Sequence, residues 1–116
     1  DALPICLDLK KMAIFPLVHG VRSLALEQRL TRTSTLDRLW TLSDAKVLDR
    51  PFAAALADTF SFLQGLRLSV RLGGGDTSQV RGETLTKAER DQLADALDVV
   101  KRFKEFITYH FHLQMF

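Results

Sequence analysis

Carboxylates, histidines and arginines are spaced in this sequence so that they could do chemistry. Asp91, Asp95 and Asp98 occupy positions i, i+4 and i+7, so a helix would align three carboxylates that could bind Mg²⁺. However, Lys87 lies four residues before this stripe and Arg102 lies four residues beyond it. These spacings favour ordinary surface ion pairs, and we interpret the stripe as a solvated, ion-paired face.

If the segment that contains His110 and His112 is helical, these histidines do not form a metal site or a catalytic pair. His110 and His112 are two residues apart, which turns them about 200° from each other on a helix and prevents joint metal binding. His110 lies three residues after Ile107, which predicts a hydrogen-bonded histidine at the edge of the core. Glycines 73–75 lack the Lys and Ser/Thr of a phosphate-binding loop. We therefore predict no catalytic residue and no metal ligand in this chain.

The arginines offer the better binding chemistry. Arg67 and Arg71 stand four residues apart beside an apolar stripe, and Arg22 and Arg38 occupy comparable positions in earlier segments. A guanidinium emerging there can donate forked hydrogen bonds to a phosphate or a carboxylate. Alternatively, the stems pack on the core while the charged heads pair with Asp or Glu. The sequence leaves both interpretations open.

Four amphipathic segments must position these side chains. Their start signals are Pro16, Ser34, Asp49 with Pro51, and the capping box of Thr86 with Glu89. Apolar residues recur at helical spacing after each signal. This pattern predicts an all-α, up-and-down four-helix bundle with an N-terminal arm at residues 1–15 and a flexible loop at residues 73–85. The conformation of the arm stays unassigned.

Length and composition limit the function classes. A chain of 116 residues fits one domain, residues 1–116. A net charge of +2 gives no reason to expect nucleic acid or an anionic membrane as partner. The single cysteine, Cys6, excludes an internal disulfide and suits a reducing cytoplasm. Because the chain starts at Asp1 without Met, we expect it to be a fragment of a longer protein.

Several ordered motifs resemble the C-terminal substrate-binding domain of bacterial nucleotidyltransferases. They are Asp8-Leu9-Lys10, Arg22 with residues 24–26 (LAL), residues 34–39 (STLDRL), residues 60–68 (FSFLQGLRL), and residues 85–90 (LTKAER) with Leu93, Ala96, Leu97 and Val100. The resemblance covers nearly the whole chain and rests on the order and spacing of the motifs.

The resemblance implies an accessory, non-catalytic domain. In this family, it follows a catalytic nucleotidyltransferase domain that uses Mg²⁺ and a nucleoside triphosphate, so this chain needs no cofactor of its own. CBS and cyclic-nucleotide-binding modules often lie further upstream, and the whole protein is similar to the PII uridylyltransferases of bacterial signalling. The expected partners are the upstream domain and a protein substrate, with a homodimer left open. The matching polar residues, which we expect to contact an anionic substrate or the catalytic domain, are Asp8, Lys10, Arg22, Ser34, Thr35, Arg38 and Arg67.

Other classes of function compete with this interpretation. A structural or dimerisation bundle without a small-molecule site is the main alternative, because no convergent polar site is visible in the sequence. Helical ribonucleases and phosphotransfer domains also use four helices, but the spacing of Arg102 and His110 and the residues after His19 do not match their motifs.

Overall fold

The computed structural model describes residues 6–74 and 79–114 of the chain. Within these ranges it is an all-α protein, which confirms the predicted class. The helices are α1 (Phe15–Glu27), α2 (Thr35–Asp44), α3 (Arg50–Leu72) and α4 (Lys87–Gln114). Strand β1 (Cys6–Asp8) and a π-helical turn (Lys10–Ile14) precede α1, while strand β2 (Gln79–Arg81) and a 3₁₀ turn (Gly82–Thr84) precede α4.

Three of the predicted helix starts are confirmed by side-chain caps. The Ser34 hydroxyl accepts a hydrogen bond from the Asp37 N–H at 3.4 Å. The Asp49 carboxylate accepts one from the Phe52 N–H at 2.8 Å. The reciprocal bonds of the capping box between Thr86 and Glu89 are 2.8 and 3.1 Å long. Each cap satisfies backbone donors that have no partner within the helix.

The first helix starts earlier than predicted. Helical backbone begins at Leu9, before Pro16, and continues through the π-helical turn into α1. In this turn the Phe15 N–H bonds to the Lys10 carbonyl, five residues back. Proline has no N–H to donate, and its ring crowds the preceding turn of a helix. The wider π-helical turn before Pro16 accommodates the ring, so the helix continues past the proline. The described part of the arm is therefore strand and helix, and residues 1–5 lie outside the description.

A small antiparallel sheet corrects the prediction of a flexible loop at residues 73–85. Strand β2 pairs with β1, with Leu7 opposite Val80, and both side chains are buried. Residues 79–84 are thus a strand and a 3₁₀ turn, while residues 75–78 lie outside the described ranges. Strand β2 has three residues, and only Val80 is buried. Such a short segment shows too little alternation of apolar and polar residues for the sequence to predict a strand.

Helices α1 and α4 run in the same direction. Gly20 of α1 lies against Phe103 of α4, and a Cβ added at Gly20 would come within 2.6 Å of that ring. Two turns further along α1, Glu27 bonds to His110, which lies two turns further along α4. Strands β1 and β2 meet at the start of both helices, which agrees with this direction.

Helix α3 runs the opposite way. Phe52, near its start, contacts Phe106 in the second half of α4, whereas Leu66, near its end, shares a groove with Leu85 just before α4. The ten residues of α2 span about 15 Å, too little to cross a bundle whose third helix spans about 35 Å. The helices form a bundle in which α1 packs on α2 and α4, and α3 packs on the same two. Because of the short α2, their order departs from strict up-and-down alternation.

The core lies between these helices and the sheet. Phe103 is fully buried; its ring stacks on Phe106 at a centroid distance of 6.3 Å and meets the tilted ring of Phe52 at 6.2 Å. Along residues 6–74 and 79–114, no helix is long and apolar enough to cross a membrane.

Candidate functional site

The residues predicted to bind substrate do not form a single cluster. Asp8 is the last residue of β1, and Lys10 begins the π-helical turn that follows it. Arg67 lies in the last two turns of α3, which packs against that turn. Ser34, Thr35 and Arg38 lie in the first turn of α2 or immediately before it. Arg22 is exposed on α1. The candidate residues therefore belong to three different parts of the fold.

Both carboxylate oxygens of Asp8 accept hydrogen bonds that stabilise the fold. Its Oδ1 accepts hydrogen bonds from the N–H groups of Lys10 and Lys11, at 3.1 and 3.3 Å, and so caps the first helical turn. Its Oδ2 accepts a hydrogen bond from Gln79 Nε2 at 3.3 Å. Gln79 Oε1 also accepts a hydrogen bond from the Cys6 thiol at 3.0 Å, so the Gln79 amide links the two strands. The carboxylate thus joins β1, the first helix and β2.

The group at the start of α2 is also partly structural. Ser34 is the N-cap of α2, and Thr35 is the first residue of the helix. Arg38 Nε donates a hydrogen bond of 2.8 Å to the Arg32 carbonyl, which fixes the loop before the helix. The guanidinium of Arg38 keeps its two terminal amino groups as donors for other partners. Arg38 is therefore a candidate contact that is already oriented by the loop.

Arg67 is the candidate with unsatisfied hydrogen-bonding capacity. It lies four residues after the fully buried Leu63, on the core-facing side of α3, and is itself half-buried. Its Nε is buried and has no hydrogen-bond partner in the described part of the chain. A buried donor without an acceptor costs about 1–3 kcal/mol, and more when it carries charge. Lys10, which is also half-buried, lies on the π-helical turn that packs against α3. We take Arg67 and Lys10 together as our candidate anion-binding site.

Two of the three carboxylates in the stripe on α4 are ion-paired, as predicted. Lys87 Nζ lies 3.1 Å from the Asp91 carboxylate, and Arg102 Nε lies 3.3 Å from the Asp98 carboxylate. All four side chains are more than half exposed. Among the described residues there is no group of three or more His, Cys, Asp or Glu side chains that could hold a metal ion.

The prediction of a hydrogen-bonded His110 at the edge of the core is confirmed. Its Nε2 lies 2.7 Å from Glu27 Oε1, and about four-fifths of each side chain is buried. The imidazole also stacks on Phe106 at 5.7 Å and meets the edge of Phe111 at 5.1 Å. The pair joins the end of α1 to α4.

The family model described as "Putative nucleotidyltransferase substrate binding domain" matches residues 4–111. The match covers nearly the whole chain, and the chain belongs to this family. No curated protein and no solved structure matches the chain.

Sequence reasoning missed two groups of polar residues. Gln79 was placed in a loop, although it is the side chain that closes the sheet onto Asp8. His19 was considered only for a phosphotransfer motif, although it shares a groove with Lys104 of α4. No local signal could reveal that these residues lie near each other, because more than 70 positions separate them in each case.

Proposed function

We propose that this chain is the accessory, non-catalytic substrate-binding domain of a nucleotidyltransferase that works in signal transduction. The observation that carries the proposal is the family match over residues 4–111. The transferase domain would lie upstream in the same protein and would hold the Mg²⁺ and the nucleoside triphosphate. CBS or cyclic-nucleotide-binding modules would supply the regulatory input, and a protein would be the acceptor substrate.

The physical argument concerns Arg67. A half-buried guanidinium with an unpaired Nε is ready to receive an acceptor, because no bond within the described chain has to break first. Phosphate and carboxylate oxygens are the acceptors that fit a planar guanidinium best. Arg67 would therefore hold an anionic group of the substrate or of the catalytic domain, with Lys10 adding positive charge from the neighbouring segment.

The test compares two arginines on the same helix in the full-length protein. Arg67→Gln should raise the KM for the substrate about ten- to hundredfold and leave kcat within about twofold, since a charge-assisted hydrogen bond contributes about 1.5–3 kcal/mol. Arg71→Gln, one turn further along α3 at an exposed position, is the matched control and should change neither constant by more than about twofold. Equal kinetics for the two variants would refute the role of Arg67. Unchanged turnover after deletion of residues 1–116 would refute the accessory function itself.

The alternative function is a structural or dimerisation module, and one observation favours it. Leu68 and Leu72, one turn apart on the outer side of α3, are 55% and 80% exposed. A second copy could cover them, because adjacent exposed leucines are more often found at interfaces than singly scattered ones. Sedimentation of the chain and of its Leu68→Gln, Leu72→Gln variant decides between the two functions. A monomer at all concentrations would exclude the dimer.

A further inference from the structure

A groove of about 340 Å³ lies between α1 and α4, on a part of the surface that contains none of the residues predicted to bind substrate. Gly20 and Ile107 lie along its floor. His19 and Ser23 border it on α1, while Lys104 and Thr108 border it on α4. Its volume is at the lower end of the range for small-molecule sites, which suits a mononucleotide better than a helix.

The two helices that border the groove approach each other closely because Gly20 has no side chain. A Cβ at this position would lie 2.6 Å from Phe103 and 3.2 Å from Ile107, so only glycine lets α1 approach α4 this closely. The polar residues on either side of the contact are thereby brought together from two helices. His19 and Ser23 are one turn apart on α1, and Lys104 and Thr108 are one turn apart on α4.

The groups around the groove suit a ligand that has a planar ring and an anionic group. The Lys104 ammonium has no carboxylate within ion-pairing distance among the described residues and is exposed, so it can bind a phosphate. The Ser23 hydroxyl can donate to the same group. The His19 imidazole is stacked on Phe15, with ring centroids 5.5 Å apart and planes 11° apart, which holds its plane for stacking against a second ring. A stacking surface next to a positive charge is the usual arrangement for binding a nucleotide.

We propose that this groove binds a mononucleotide, with the base against His19 and the phosphate on Lys104 and Ser23. The inference goes beyond the proposed function, because its residues lie outside the set that the family resemblance supplied. The site would exist whether or not Arg67 binds the substrate of a transferase.

Titration of the chain with AMP, followed by amide NMR, tests the site. AMP should shift the amide signals of Gly20, Ser23 and Thr108 with a Kd of about 1 mM, as expected for an open groove. Adenosine lacks the phosphate and inorganic phosphate lacks the base, so each should bind at least about fivefold more weakly than AMP. Shifts confined to other parts of the chain, or phosphate binding as tight as AMP binding, would refute the proposal.

Two pairs of variants separate binding from general charge and from folding. Lys104→Gln should weaken AMP binding about two- to fivefold, whereas Lys101→Gln, one turn earlier on α4 and outside the groove, should change it less than twofold. His19→Ala should weaken binding about fivefold, and His19→Phe, which keeps a planar ring, should restore it. Equal losses for the two lysines, or no rescue by Phe, would overturn the assignment, provided that the amide spectra show folded protein. None of these outcomes bears on the transferase kinetics.

Discussion

Replacing Gly20 with Ala should destabilise the protein, although alanine is the better helix former. The added Cβ would lie 2.6 Å from Phe103 Cε2, 3.1 Å from its Cζ and 3.2 Å from Ile107 Cγ1. The phenyl ring cannot swing away easily, because Phe103 is fully buried and packs against the rings of Phe52 and Phe106. Helices α1 and α4 would have to move apart to accept the methyl group.

Two opposing effects set the magnitude. Overpacking a buried contact costs about 1–3 kcal/mol, while Gly→Ala inside a helix contributes about 0.5–1 kcal/mol of stability. We therefore expect a net loss of about 1–2 kcal/mol in the free energy of unfolding. The same substitution at Gly65 of α3 is the matched control, because no atom lies within 4 Å of the Cβ that it adds. Gly65→Ala should stabilise the protein by about 0.5–1 kcal/mol.

Urea denaturation followed by circular dichroism measures both effects. The two variants should move the midpoint in opposite directions, with an unchanged dependence on urea concentration. Differential changes are more reliable here than absolute stabilities, since both substitutions add the same methyl group to a helix. If Gly20→Ala stabilises the protein as much as Gly65→Ala does, α1 and α4 do not approach each other as closely as described, and the groove between them loses its structural basis.

Three further substitutions test other parts of the argument. Arg67→Met should raise the free energy of unfolding by about 1 kcal/mol, because it removes an unpaired buried donor and keeps the apolar stem; a loss of stability would show that the guanidinium has a partner in the folded chain. A double-mutant cycle of Glu27→Ala and His110→Ala should give a coupling of about 1–2 kcal/mol in urea unfolding, given their 2.7 Å contact, and additive effects would mean that the pair does not form. Asp8→Ala should cost about 1–2 kcal/mol and Asp8→Asn clearly less, since Asn keeps an acceptor for the helix cap; equal losses would contradict the capping role.

The parts of the fold that the sequence predicts correctly are those fixed within one helical turn. The caps at Ser34 and Asp49 and the capping box before α4 are hydrogen bonds between residues three positions apart. Such contacts depend little on the rest of the chain, so composition and spacing are sufficient to find them. The Lys87–Asp91 and Asp98–Arg102 ion pairs on α4 follow from the same local geometry.

Features that join distant segments were not predictable in this way. Strand β1 pairs with β2 about 73 positions away, and each has three residues, too few for a recognisable alternation. The parallel direction of α1 and α4 depends on the length of α2 and on the close contact at Gly20. A glycine in a helix signals only that something lies close to the backbone, and not which helix lies there.

The family resemblance gives Asp8, Ser34 and Arg67 the same expected role, but their hydrogen bonds in the structure differ. Both carboxylate oxygens of Asp8 are occupied by the fold, and the Ser34 hydroxyl caps α2. Arg67 differs from both, because its buried Nε has no acceptor in the described chain. A leucine at this core-facing position would avoid the cost of the unpaired donor, so the arginine reduces the stability of the chain on its own. Stability and substrate binding should therefore respond in opposite directions to substitution at Arg67, whereas at Asp8 only stability should respond.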